Sequence, residues 1–183
     1  MESLNLETFT FFDMDILKIA TDWAKAELVS TSFFIITGIT FIMASFGFWQ
    51  FGKSDLARAY IIPILVAGTF LITVGFGLFF TNKARITQFE TAYNGDATAF
   101  VNTELDRTEA TLKEYKTIVF TAIPLIIVVC GLIIFFTNTP IWRASSISTI
   151  AMLSVILLID GLAHARIEEY NKQLLRAQQE LKK

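Results

Sequence analysis

Asp160 stands out as the residue best placed for chemistry, since it is an acid inside an otherwise apolar run. Burying such a charge at a bilayer centre costs about 2.5–3.5 kcal/mol on insertion scales, so an intramembrane acid is read first as functional. His164, the single histidine, follows one turn later on the same helical face, with Glu168 beyond it. Asp160 and His164 could therefore relay a proton or a cation. The competing reading is a boundary cluster bonded to neighbouring helices. The position of Asp160 a few residues from the end of its run favours that structural role.

Hydroxyls recur in the apolar runs, from Thr31 to Ser45, at Thr69 and Thr73, and from Ser145 to Ser154. They could line a narrow polar path, although such residues more often let helices approach and bond across the contact. Gly38, Gly68 and Gly75 fit the packing role, and Pro63 and Pro124 are expected to kink their helices. Cys130 lies alone in an apolar run, which keeps a thiol inert and excludes an intrachain disulfide.

Missing motifs narrow the class further. One histidine cannot supply both axial ligands of a haem. The sequence has no His-Glu-x-x-His metal site, no Gly-x-Ser-x-Gly nucleophile elbow and no Gly-rich phosphate loop with its lysine. A two-aspartate intramembrane protease would need a second acid in the runs. The expectation is a protein that is not an enzyme and that holds neither a metal nor a cofactor.

The elements carrying these residues follow from composition. Of 183 residues, 54% are apolar and 17% charged, against about 45–50% and about 25% in a soluble chain. Charge-free runs extend from Leu28 to Gly52, Ala59 to Asn82, Thr117 to Trp142 and Ala144 to Ile159, the last reaching Ala165 past Asp160 and His164. A helix needs roughly 20 apolar residues to cross the hydrocarbon core. The fold expected is an all-α integral membrane protein with four transmembrane helices arranged as two hairpins. The first ten residues carry Glu2 and Glu7 and no base, unlike a secretory signal.

Twelve of the fifteen bases share one side of the four runs, and Lys53, Arg58 and Arg143 lie on the other. Lys and Arg near span ends stay cytoplasmic. Both termini and the middle segment are thus expected in the cytoplasm. The general type, without any family motif, is that of small four-span proteins of the bacterial inner membrane. Trp49, Tyr60 and Trp142 are expected as aromatic anchors at the outer boundary, and Trp23 and Tyr115 at the inner one. A net charge of −2 argues against a nucleic-acid partner.

Segments on the base-rich side read as helices too. Phe12, Ile16, Ile19 and Trp23 share a face of an amphipathic stretch within residues 1–27. That face is expected either on the inner leaflet or on the protein's own cytoplasmic surface. Residues 28–82 form the first hairpin and residues 117–165 the second. Between them, residues 83–116 make a helical hairpin turning at Asn94-Gly95, with Asp96 capping its second helix. Val101, Leu105 and Leu112 form a heptad-like seam there, and Ile167, Tyr170 and Leu174 form another in residues 166–183. Ala84-Arg85-Ile86 with Phe89 is echoed by Ala165-Arg166-Ile167 with Tyr170, as a duplicated hairpin would give.

Three functions compete. The leading expectation is a non-catalytic protein, embedded in the lipid bilayer, that self-associates or joins a membrane complex through these seams, in coiled-coil fashion. The second is a homo-oligomeric channel or transporter using Asp160 and His164. The third is a membrane effector or a sensor whose arms receive a signal, for which the sequence offers no pocket.

Overall fold

The computed structural model describes the backbone of residues 2–181 and the side chains of residues 16–181. Phe12 on the N-terminal apolar face, and Lys182 and Lys183, lie outside the described side chains. The described chain is helical, with no strand among its residues. Its elements are α1 (Glu2–Phe51), the short α2 (Asp55–Ala59), α3 (Ile61–Gly95), α4 (Ala97–Glu114), a π-helical segment (Tyr115–Ala122), α5 (Ile123–Phe136) and α6 (Pro140–Leu181). Four helical stretches are long and apolar enough to cross a membrane: Ile16–Phe51, Asp55–Gly95, Ala97–Phe136 and Pro140–Leu181. These four make the chain a multi-pass membrane protein by length and composition.

Each stretch is longer than a crossing needs. At about 1.5 Å per residue, a 42-residue helix such as α6 runs about 63 Å, roughly twice a hydrocarbon core. The surplus forms arms, and all of it lies at the end remote from α2. There a buried core gathers Ile16, Trp23, Phe89, Val101, Ile167 and Tyr170, among others. Towards the other end the pattern inverts, with Met43, Phe135 and Phe136 between 68% and 81% exposed. Apolar groups outside and a thin core within suit a lipid surround.

Glycine decides how α1 meets α3. A Cβ on Gly38 would lie 2.8 Å from the carbonyl oxygen of Gly68, and a Cβ on Gly68 would lie 2.8 Å from that of Gly38. The backbones therefore touch, and any side chain would push the helices apart. Ser45 Oγ donates across the same pair to the Ile61 carbonyl at 2.7 Å. Thr40, Thr69 and Thr73 instead donate to carbonyls four residues back in their own helices.

The breaks follow local chemistry. Ser54 caps α2, its hydroxyl accepting from Ala57 N at 3.2 Å. Between α3 and α4 the helix continues through Asn94 and Gly95, and a single extended residue, Asp96 at φ −158°, makes the turn. Its carboxylate accepts from Ala99 N at 2.9 Å, satisfying an amide that has no partner within the helix. Pro63 is the third residue of α3, and the break between α2 and α3 falls at Ala59 and Tyr60, about one turn ahead of it, where its ring would crowd a carbonyl. Pro124 acts differently. It lacks a donor and its ring crowds the carbonyl four residues back, and the turns just before it widen to π-helix. Thr121 Oγ1 donates five residues back to Lys116 O, following that wider turn.

No break separates the amphipathic N-terminal stretch from the first apolar run, since α1 passes through both. Ile16, Ala20, Trp23 and Ala24 are buried against the arms in the shared core. Of the two expected placements for this face, it packs on the protein itself.

Candidate functional site

The seams come together within one chain. Val101, Leu105, Ile167, Tyr170 and Leu174 are buried in a single core, and Leu112 packs on its edge. Thr108, fully buried in the same seam, accepts from Asn171 Nδ2 at 2.7 Å and donates to the Leu105 carbonyl. Burying three apolar faces against one another removes them from water at about 25 cal/mol per Å². Within one chain these side chains are buried, Leu112 only partly.

Trp23, expected at the inner boundary, lies at the centre of this core. It is only 8% exposed. Its ring stacks on Tyr170, with centroids 5.1 Å apart and planes within 11°. The Arg107 guanidinium lies over the ring at 4.6 Å and that of Arg85 at 5.9 Å, both within cation–π range. Arg107 also grips Glu104 through two bonds of 2.9 and 2.6 Å, and Glu104 accepts a third from the Tyr170 hydroxyl at 3.0 Å. Burial, and then the Glu104 carboxylate, push that hydroxyl well above its ordinary pKa, so it stays protonated as donor. At the opposite end Trp49 and Trp142 are 62% and 58% exposed, and Tyr60 stacks on Phe48. Tyr115, also expected as an anchor, turns inward.

Just beneath this core, where α1, α3, α4 and α6 meet, lies a polar cavity of about 230 Å³. Liquid water takes about 30 Å³ per molecule, so the space matches roughly eight waters or one small solute. Asp160, Arg85, Asn82 and Tyr115 all reach it. Glu27 and Arg107 reach it too, but each is already paired. Arg166 Nε donates to Glu27 at 3.1 Å and its Nη2 donates to Ser30 Oγ at 2.6 Å, tying α6 to α1. Among the described residues Arg85 has no carboxylate within salt-bridge distance, and its bond goes to Asn82 Oδ1 at 2.8 Å. Burial, and secondarily the charge of Arg107, hold the Arg85 guanidinium below its ordinary pKa. Asp160 makes no hydrogen bond or ion pair with any described residue, nor does the hydroxyl of Tyr115.

The deep wall of the cavity is dry. Phe34 and Ile159 line it and pack with the fully buried Leu71 into a second, apolar cluster joined by Phe41 and Met152. That layer separates the polar space from the far end of the bundle. Beside it, a larger apolar groove of about 510 Å³ runs between α1 and α6, lined by Val29, Phe33, Leu158 and Leu162. It faces the surface that a bilayer would cover.

Asp160 and His164 are not joined. Asp160 faces the cavity, whereas the His164 ring sits edge-on between Tyr115 and Phe120, at 5.5 and 5.0 Å. The widened turn before Pro124 carries both Tyr115 and Phe120, so the π segment builds the histidine's niche. Among the described residues no three of His, Cys, Asp and Glu converge as a metal site would need. Cys130 is buried.

Arg85, Asn82 and Glu27 were not singled out from the sequence as site residues. A signal for two of them existed: Asn82 and Arg85 are three residues apart and share a helical face, and Arg85 is the middle residue of the echoed Ala-Arg-Ile step. Comparison with protein-family models, with curated proteins and with solved structures finds no match to this chain. What defines the class is the fold itself, an all-helical multi-pass membrane protein whose four long helices extend into a shared bundle of arms.

Proposed function

We propose that this chain is a non-catalytic membrane sensor that takes up a small polar solute from the cytoplasm into the cavity beneath its arms. The single observation behind this reading is a polar space at the junction of four helices, faced by Asp160 and Arg85 with no counter-ion for either among the described residues. An uncompensated charge beside a bilayer is costly, and a ligand that pairs it gives the site its affinity. Occupancy would tighten α3, α4 and α6 around α1, and the arms would carry that change to a partner. Orientation rests on the bases, twelve of which lie on the arm side. The bacterial inner membrane, with both termini cytoplasmic, fits that count.

A solute panel tests the reading on full-length protein in mild detergent. Small acids, amines, zwitterions and sugars are added and the melting temperature is followed. The expected result is a rise of several degrees with at least one class, abolished by Thr111→Phe, which fills the cavity wall. No rise with any class would end the sensor reading.

Transport is the second reading, supported by the approach of Asp160 to the same cavity. The dry layer of Phe34, Leu71 and Ile159 argues for a closed path within one chain. Solute flux in proteoliposomes, lost in Asp160→Asn, would favour transport over sensing. Self-association or accessory binding through the arms would have to use their outer faces, since the seam residues are buried within one chain.

A further inference from the structure

We infer that the solute is a small zwitterion of the amino-acid type, its carboxylate held by Arg85 and Asn82 and its ammonium by Asp160. This rests on the cavity being a binding site, as proposed above, and goes on to name the ligand's chemistry.

The charges facing the space can be sorted by what already satisfies them. Glu27 is held by Arg166 at 3.1 Å, and Arg107 by Glu104 at 2.6 Å. Those two pairs cancel. Glu114 also reaches the space, but from an exposed position at its rim, where water serves it. Two interior groups remain: the Arg85 guanidinium, bonded to a neutral amide, and the Asp160 carboxylate, bonded to nothing described. They are opposite in sign and do not touch each other.

Asn82 adds donors to the cavity wall. Its side chain is only 3% exposed and lines the cavity. The oxygen accepts from Arg85, and the amide nitrogen has no described partner. Among the described residues the buried donor nitrogen left without a partner is Trp23 Nε1, and Trp23 lines the same cavity; a buried donor with no acceptor costs free energy. The two N–H groups of Asn82 and the Arg85 fork together offer a donor set suited to a carboxylate.

Charge balance then selects among ligand classes. A simple anion would pair Arg85 and leave Asp160 unpaired. A simple cation would do the reverse. A molecule carrying both charges compensates both residues and enters with no net charge, which suits a space close to the hydrocarbon core. The volume of about 230 Å³ lies below the roughly 300–1,000 Å³ of drug-sized sites, consistent with a solute of few heavy atoms.

The test is calorimetric titration of the full chain in nanodiscs with the standard amino acids and glycine betaine. Each binder is then compared with the analogue lacking its carboxylate and the analogue lacking its amine. For alanine these are ethylamine and propionate. The expected result is that a zwitterion binds at least tenfold tighter than either analogue. Asp160→Asn should weaken the zwitterion at least tenfold and erase its advantage over the acid. Arg85→Gln should erase its advantage over the amine. Both variants should melt within a few degrees of the parent, and the shift in preference is a readout that a merely structural residue would not move. An acid or an amine binding as tightly as the zwitterion would overturn this inference while leaving a solute sensor standing. Binding confined to neutral solutes would do the same. No binding by any solute would overturn both.

Discussion

Arg85 and Arg166 begin the same way and end differently. Each stands in an Ala-Arg-Ile step just past an apolar run, and each is followed by an aromatic, Phe89 or Tyr170, that reaches the shared core. Arg166 closes on Glu27 and Ser30 and fastens α6 to α1. Arg85 finds a neutral amide and the edge of a cavity. The difference comes from the partner helix, because Glu27 and Ser30 of α1 are both taken by Arg166. Identical local sequence thus yields a clamp in one half and an open charge in the other.

The largest effect is expected at Trp23, whose ring lies under the Arg85 and Arg107 guanidiniums. Trp23→Ala removes the stacked ring between Tyr170 and Arg107, and a large-to-small change of this kind costs about 3–5 kcal/mol. A large fall in melting temperature in detergent, with loss of solute binding, is the expected outcome. A modest fall would show that the arms do not depend on this core.

Arg166→Ala comes next. It leaves the Glu27 side chain, 12% exposed, without its cation. We expect a loss of about 2 kcal/mol, less than the 3–5 kcal/mol of a fully buried pair because Arg166 itself is 30% exposed. The double variant Glu27→Gln/Arg166→Gln should recover part of this, with a coupling of about 1 kcal/mol in a double-mutant cycle. Additive effects would mean that the clamp contributes nothing.

Tyr170→Phe sharpens the picture with a smaller change. It deletes the 3.0 Å bond to Glu104 while keeping the ring on Trp23, and should cost about 1 kcal/mol. Smallest of all is Arg85→Gln. With no carboxylate among the described residues to lose, its stability should stay within about 0.5 kcal/mol of the parent while solute binding falls. A destabilisation as large as that of Arg166→Ala would show that Arg85 is a structural clamp as well.

Much of the helical plan was legible. Long charge-free runs dictate helices because a backbone in lipid must satisfy its own hydrogen bonds. The Asp96 cap was readable because a carboxylate just ahead of a helix meets free amides. Asp160 was visible as an acid among apolar neighbours. The stacking of Trp23 on Tyr170 was not readable, because composition cannot separate a ring in the headgroup layer from one stacked inside a core. The same ambiguity hid the cavity. Its residues come from four helices, and Asn82, Arg85 and Glu27 look like ordinary polar residues at run ends.

By itself the sequence determined four long apolar helices, their helical extensions on one side and the seam positions, since these follow from hydropathy, period and capping along a single element. Tertiary structure alone decided that the seams satisfy one another within one chain, that Arg166 takes the carboxylate while Arg85 goes without, and that Asp160 and His164 part company. Such outcomes depend on which helices become neighbours and at what rotation. Local spacing fixes which residues share a face, and only packing fixes what that face meets.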